Sequence, residues 1–271
     1  MFKKNKVLKI IALILLVVII GLGVVYKIMR NPMLYFNPAA VPSITASPMN
    51  ISDIYEISYF RSNLGHDYSM NAWDGETCRS MKHYLNFNMN SEPNTNIPVR
   101  SKPTPNHPNI KIYAPFDGTI IDDEPEQMPI GHQIHISSAQ NSHYFVRLFH
   151  IDLLPSLKVG DEVKSGQWIG TVGPMDGIDV SYEANLINGK TVYLSIFQYM
   201  TKEAFAPFAA KGYKPSDFIL TKEQADAKGY ECNGQYFSNA PQQDPGAPVQ
   251  EGAVMLRPNP YAAIFDQQHS Q

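Results

Sequence analysis

Histidines and carboxylates are the residues with which this chain could hold a metal or activate water. His66 stands beside Asp67, His132, His135 and His143 lie close together, His150 follows, and Glu183 comes later. A hydrolytic zinc needs about three protein ligands and an open position for the water it activates. His132 and His135 are three residues apart, which in a strand puts them on opposite faces, so they do not easily chelate one ion. With His143 they read as half-exposed strand residues. Residues 76–84 carry Arg79, Lys82, His83 and Tyr84, which offer charge and stacking surface for recognition. The same stretch reads equally as a structural excursion pinned by Cys78. Cys78 and Cys232 are the two cysteines. In an oxidising compartment they form one long-range disulfide; otherwise they are two buried thiols.

These groups must be positioned by short extended elements. Residues 112–115, 118–121 and 133–136 are β-branched or alternating runs separated by turn signals. Residues 144–151 follow the polar turn 138–142 and pair back as a hairpin. Asn188-Gly189 lies between runs 180–187 and 191–199, and this dipeptide predicts a two-residue type I′ hairpin. Strands at this spacing without long helices between them argue for a mainly β domain over residues 53–200, an antiparallel sandwich or open barrel. The extension 201–271 is partly helical, over 202–211 and 221–228 with Ser216 or Thr221 as candidate caps, and irregular beyond.

The N-terminus has a different character. Lys3, Lys4, Lys6 and Lys9 precede an uncharged apolar run over residues 10–26, about the length that crosses a bilayer. Residues 1–30 therefore read as a cytoplasmic basic stub and an uncleaved transmembrane helix, with the main domain outside; the alternative is a signal cleaved near the small residues Ala39 and Ala40. Residues 31–52, rich in Pro, Ala, Ser and Asn, read as a linker. The chain of 271 residues is 44% hydrophobic, enough to bury a large core, and its net charge of −3 excludes the basic footprint of a nucleic-acid binder.

Residues 157–170, Leu-Lys-Val-Gly-Asp-Glu-Val-Lys-Ser-Gly-Gln-Trp-Ile-Gly, carry the pattern V-x-x-G-D-x-V-x-x-G-Q-x-I-G. Tyr113-Ala114-Pro115-Phe116-Asp117-Gly118-Thr119-Ile120 precedes it, with Phe149-His150-Ile151 between. In order and spacing these pieces, together with residues 63–68 and 193–197, resemble lysostaphin-type murein endopeptidases across about residues 61–200. The Gly-Asp piece alone is similar, more loosely, to lipoyl and biotinyl carriers. The resemblance implies a zinc held by the His and Asp of H-x-x-x-D and by the second His of H-x-H. The first His of that pair and the His of Y-x-H-L assist catalysis. Here Asp67 and His150 match, whereas Asn63 stands at the first ligand position and Tyr193 and Ser195 fall at H-x-H.

One carboxylate does not hold a catalytic zinc, so no metal is expected and no confident catalytic residue remains. The resemblance then implies a non-catalytic envelope protein. Its cleft of Asn63, His66, Asp67, His150, Tyr193 and Ser195 would bind peptidoglycan or an envelope protein. The alternative is an active cell-wall metalloendopeptidase with relocated ligands, where His66 moves toward the position of Asn63. A weaker one is an adaptor in a membrane assembly.

Overall fold

The computed structural model of the protein describes residues 33–87, 107–127, 130–238 and 252–256, besides Leu15. The expected transmembrane helix falls outside the described residues, among which no helix is long and apolar enough to cross a membrane. Most of the irregular stretch 239–271 also falls outside them.

The described chain is mainly β, as its turn-broken alternation predicts. In order the strands are β1 (Ile54–Ser58), β2 (His83–Phe87), β3 (His107–Tyr113), β4 (Gly118–Pro125), β5 (His132–Ser138), β6 (Tyr144–Leu153) and β7 (Glu162–Val163). Then come β8 (Trp168–Val172), β9 (Gly177–Asn185), β10 (Thr191–Leu194), β11 (Cys232–Asn233), β12 (Tyr236–Phe237) and β13 (Ala253–Met255). Eleven of them join one branched sheet in the order β13-β1-β2-β9-β6-β5-β4-β7; β10 lies beside β9, and β8 links β6 to β3. Hydrogen bonding is thus continuous around the domain, and only the β11–β12 hairpin stands apart among the described strands. β9 is the organising strand. β6 runs along one edge of it, and β2 then β10 along the other, all antiparallel.

Two local features differ from expectation. In the β9–β10 turn Gly189 takes φ of +81°, but Asn188 does not take positive φ, so the turn is not type I′. Asn188 instead accepts the Lys190 N–H on its side-chain oxygen at 3.1 Å, and Gly189 N–H donates to Leu186 O. The turn is closed by one left-handed glycine, as in the three-residue hairpin family.

Residues 33–49, read as linker, pack onto the domain. Ile44 and Met49 are fully buried, Thr45 N–H donates to Pro115 O, and Met33 bridges Leu186. Met33, Phe36, Val41, Ile44 and Met49, three or five apart in a Pro-rich stretch, carry no sustained helical or strand period, yet each buried Ile or Met contributes about 1.5–3 kcal/mol. This is enough to hold extended chain against a sheet.

The C-terminal extension contains α1 (Lys202–Ala209), capped by Thr201, and α2 (Lys222–Ala227), where Thr221 and Gln224 form a capping box. Ser216 caps neither; it lies inside a 3-10 turn, Pro215–Phe218. Phe205 and Phe208 of α1 pack with Phe197 and Phe218 into an aromatic cluster beneath the sheet. Cys78 and Cys232 are disulfide-bonded, tying the β11–β12 hairpin to the body.

Candidate functional site

Polar residues alternate along an otherwise apolar strand. Asp179, Ser181 and Glu183 occupy one face of β9 while Ile178, Val180 and Tyr182 enter the core on the other. Register aligns Asp179 with Tyr84 and Phe149, Ser181 with Arg147, and Glu183 with Tyr193. All three polar side chains are buried. Burial of a polar group without a partner is costly, so each partner matters.

Asp179 is the hub. Lys82, just before β2 and only 1% exposed, donates to its Oδ2 at 2.7 Å. The same ammonium lies 3.1 Å from His66 Nε2 and stands over the rings of Phe149, Tyr68 and Tyr84 at 4.5, 4.7 and 5.0 Å. A cation over three ring faces gains from their quadrupoles, most of all when desolvated. On the other side of Asp179, His150 Nε2 is 3.5 Å away, and His150 Nδ1 donates to Glu126 Oε2 at 2.6 Å. Lys82, Asp179, His150 and Glu126 therefore alternate as cation and carboxylate along one buried chain of contacts.

His150 reaches this place through an unusual backbone. Its φ is +64°, and Gly131 approaches so closely that a Cβ there would meet the His150 carbonyl carbon at 2.8 Å. A non-glycine in this region is sparsely populated and persists where its surroundings hold it.

The electrostatics follow from burial set against charge partners. Burial acts first on His150 and disfavours its charge, but Asp179 and Glu126 outweigh it and raise its pKa to about 9. For Asp179, burial alone would raise the carboxyl; the Lys82 and His150 cations hold it well below the carboxylate range. Lys82 is likewise disfavoured by burial and kept charged by Asp179 and Tyr84. His66 is lowered, by burial and then by Lys82, so its ring is neutral. Its Nδ1–H donates to Asp67 O at 3.0 Å and its Nε2 accepts from Lys82. Tyr68 O–H donates to Glu183 Oε1 at 2.8 Å, with Arg147 3.6 Å from the other oxygen.

Among the six cleft residues expected from sequence, His66 and His150 meet in this chain, both through Lys82 and Asp179. Tyr193 lies on the same face, its ring 5.5 Å from that of Tyr68. Asp67 directs one oxygen into its own loop, accepting from Ser69 N, Ser69 Oγ and Arg79 N. Asn63 is buried. Ser195 is elsewhere: its hydroxyl contacts His83 Nε2 at 2.8 Å on the opposite face, against Phe197. Tyr193 and Ser195 were expected beside His150; it is Asp179 that lies 3.5 Å from its Nε2, with Ser181 on the same face of β9 opposite Arg147. Glu126 and Asp179 were missed as site residues, and Lys82 was named only among four recognition groups of residues 76–84, equally read as a structural excursion. The alternation of Asp179, Ser181 and Glu183 with apolar neighbours was the signal that could have found part of the cluster.

A catalytic zinc does not fit these groups. Asn63 and Ser181 offer neutral oxygens, poor partners for a borderline-soft ion. Asp67, with three donors on one oxygen, has a single oxygen left to offer, and one carboxylate oxygen does not hold the ion by itself. The Lys82 ammonium already supplies the positive charge between His66 and Asp179, and it would repel a second cation. A different group of donors lies on β4 and β5. Ligand atoms of Asp122, Glu124 and His135 are all within 4.8 Å of one another. His135 is buried there, where half-exposure was expected, because a bulge near Asp122 sets it against that residue. His132 pairs with Asp123 instead, at 2.6 Å.

Residues 104–200 match the sequence model of Peptidase family M23. The likeness to that family covers this stretch alone, less than half of the chain. The match takes in Glu126, His150, Asp179 and Ser181, while Lys82, His66 and Asp67 come from the chain before it. Comparison with curated proteins gave no match. Among solved structures, the chain is similar to lysostaphin in solution, at 17% identity and TM-score 0.36 over 55% of this chain and 51% of that one. It thus spans about half the length of that structure. It is also similar to the catalytic domain of lysostaphin from Staphylococcus simulans, at 18% identity and TM-score 0.31 over 58% of this chain and 92% of that one. The SpoIIQ–SpoIIIAH pore-forming complex gives 14% identity and TM-score 0.35, over 63% and 99%.

Proposed function

We propose that the chain is a membrane-anchored envelope protein whose M23 domain binds cell-wall peptide or glycan, or an envelope protein, without cutting it. The observation that carries this reading is the Lys82 ammonium, buried between His66 Nε2 and Asp179 Oδ2 under three aromatic rings. In this reading Asp179 and Ser181 stand at the two H-x-H positions, and Lys82 replaces the charge of the ion. Hydrolysis then lacks both its Lewis acid and its activated water. What remains on that face is Tyr68, Tyr193 and Arg147, ring faces and a guanidinium that suit a peptide bearing carboxylates.

A second reading keeps metal chemistry but moves it to Asp122, Glu124 and His135. His135 is aligned with Arg147, and Arg147 with Ser181, so this group lies on the cleft side of the sheet. The test loads the protein with zinc, desalts it and measures metal content, alongside muropeptide release from purified walls. The expected result is no stoichiometric zinc, no release, and retention of wall fragments. One zinc per chain with release abolished by Asp122→Ala would establish the second reading; loss through Asp67→Ala would return the ion to the family position.

A further inference from the structure

Ile121, Val159, Trp168 and Tyr236 are exposed singly, but five other exposed large apolar side chains gather. Leu34, Tyr35, Met70, Trp73 and Ile187 are 75, 69, 78, 44 and 53% exposed. Contacts draw them to one end of the molecule, around the β9–β10 hairpin. Ile187 N–H donates to Met33 O, next to Leu34, and Trp73 N–H donates to Thr191 O at the start of β10. The Phe36 and Trp73 rings are 5.1 Å apart, and Tyr193 donates to Met70 O. Lys190 is exposed at the tip of the same hairpin. No described part of the chain covers these side chains.

Two facts identify the occupant. The uncharged run over residues 10–26 ends seven residues before Met33. Seven extended residues reach at most about 25 Å, so once that run is in a bilayer, Met33 and the patch beside it are confined near the lipid surface. The patch itself is amphipathic: a Trp and a Tyr with Leu, Met and Ile, rimmed by a lysine. Indole and phenol rings favour the level of lipid headgroups, where the ring is apolar and its N–H or O–H stays wet. We infer that this end of the domain, Leu34, Tyr35, Met70, Trp73 and Ile187, lies on the outer surface of the anchoring bilayer and fixes how the cleft faces the wall. The inference rests on the membrane-anchor part of the proposed function and adds a second contact with lipid.

The two tryptophans permit a direct test. Trp168 is on β8, three strands from β10 through β6 and β9, and its ring is engaged by Lys111 at 4.6 Å. Full-length protein carrying Trp168→Phe, or Trp73→Phe, is reconstituted into vesicles with and without phospholipid brominated high on the acyl chain. Vesicle flotation is scored in the same samples. Trp73 emission is expected to fall at least about twofold in brominated vesicles, since interfacial groups sink roughly 5–10 Å into the headgroup and acyl boundary. Trp168 emission is expected to hold. Adding Leu34→Asp and Met70→Asp should abolish the Trp73 quenching while flotation persists. Protein that floats with Trp73 quenched no more than Trp168 overturns the lipid contact and leaves the anchor standing. Protein that does not float overturns the anchor and the contact with it.

Discussion

Lys82 and His83 are consecutive, both buried, and end in opposite protonation states. Lys82 faces the β9 carboxylates and stays charged, because Asp179 at 2.7 Å more than offsets its desolvation. His83 points the other way, among Phe60 and Phe197, with its Nδ1–H on Ser58 O and Ser195 at its Nε2. Among the described residues no acidic group pairs with it, and burial, set against the Ser58 carbonyl, pushes its pKa down to about 4. One residue along a strand thus separates a charged face from a neutral one. Burial does not by itself say what a titratable group does; the sign comes from whether a counter-charge was buried with it.

The comparison breaks most severely when the counter-charge is removed. Asp179→Ala leaves Lys82 and His150 buried together without the carboxylate between them, and should lower stability by about 3–5 kcal/mol in urea denaturation. Lys82→Met should cost less, since His150 still faces Asp179. Combining Lys82→Met with Asp179→Leu should recover much of the loss, because an apolar pair of similar volume avoids desolvating two charges. A double variant as unstable as the sum of the singles would show that the two side chains do not act as a pair.

Titration sharpens the contrast because the two faces have opposite signs. His150, raised to about 9 when folded, contributes stability that is fully present below its unfolded pKa, near 6.5, and is lost as pH rises through about 9. His83, lowered to about 4, stays neutral while the unfolded chain takes up a proton, so stability falls as pH drops from about 6.5 toward 4. Each limb amounts to at most about 3 kcal/mol. Stability measured across pH should lose its alkaline slope in His150→Gln and its acid slope in His83→Gln. A variant that flattens the other limb would reverse the assignment.

The smallest expected effect is on the neutral face. Ser195→Ala removes the donor to His83 Nε2 and should cost about 1 kcal/mol, with the alkaline slope unchanged. A loss as large as that of Asp179→Ala would mean that Ser195 belongs to the charged network after all.

Much of the strand framework was legible in residue order: the β5–β6 hairpin, the Gly-Asp segment that becomes β7 and β8, and the Thr221 cap of α2. The type I′ assignment failed because Asn188 could satisfy Lys190 N–H with its own side chain without leaving negative φ. The linker assignment failed because Ile44 and Met49 find apolar partners that their neighbours in sequence do not reveal. At the site, Tyr193 was placed on the right face by its pairing with Glu183, while Ser195, two residues on, had already left β10 and turned to His83.

By itself the sequence determined that the chain is mainly β, that Asp179, Ser181 and Glu183 alternate with apolar residues, and that Asn63 puts a neutral oxygen at the position that resembles a zinc ligand's. Those facts need only side-chain chemistry and the period of a strand. The tertiary structure alone decided that Lys82, 97 residues before Asp179, would be the cation beside it, and that Glu126 would hold the far nitrogen of His150. Lysine and glutamate are ordinary surface residues by composition. They become a site only when strand register removes water from both ends of each pair, and register over such separations is set by the whole core and not by the local chain.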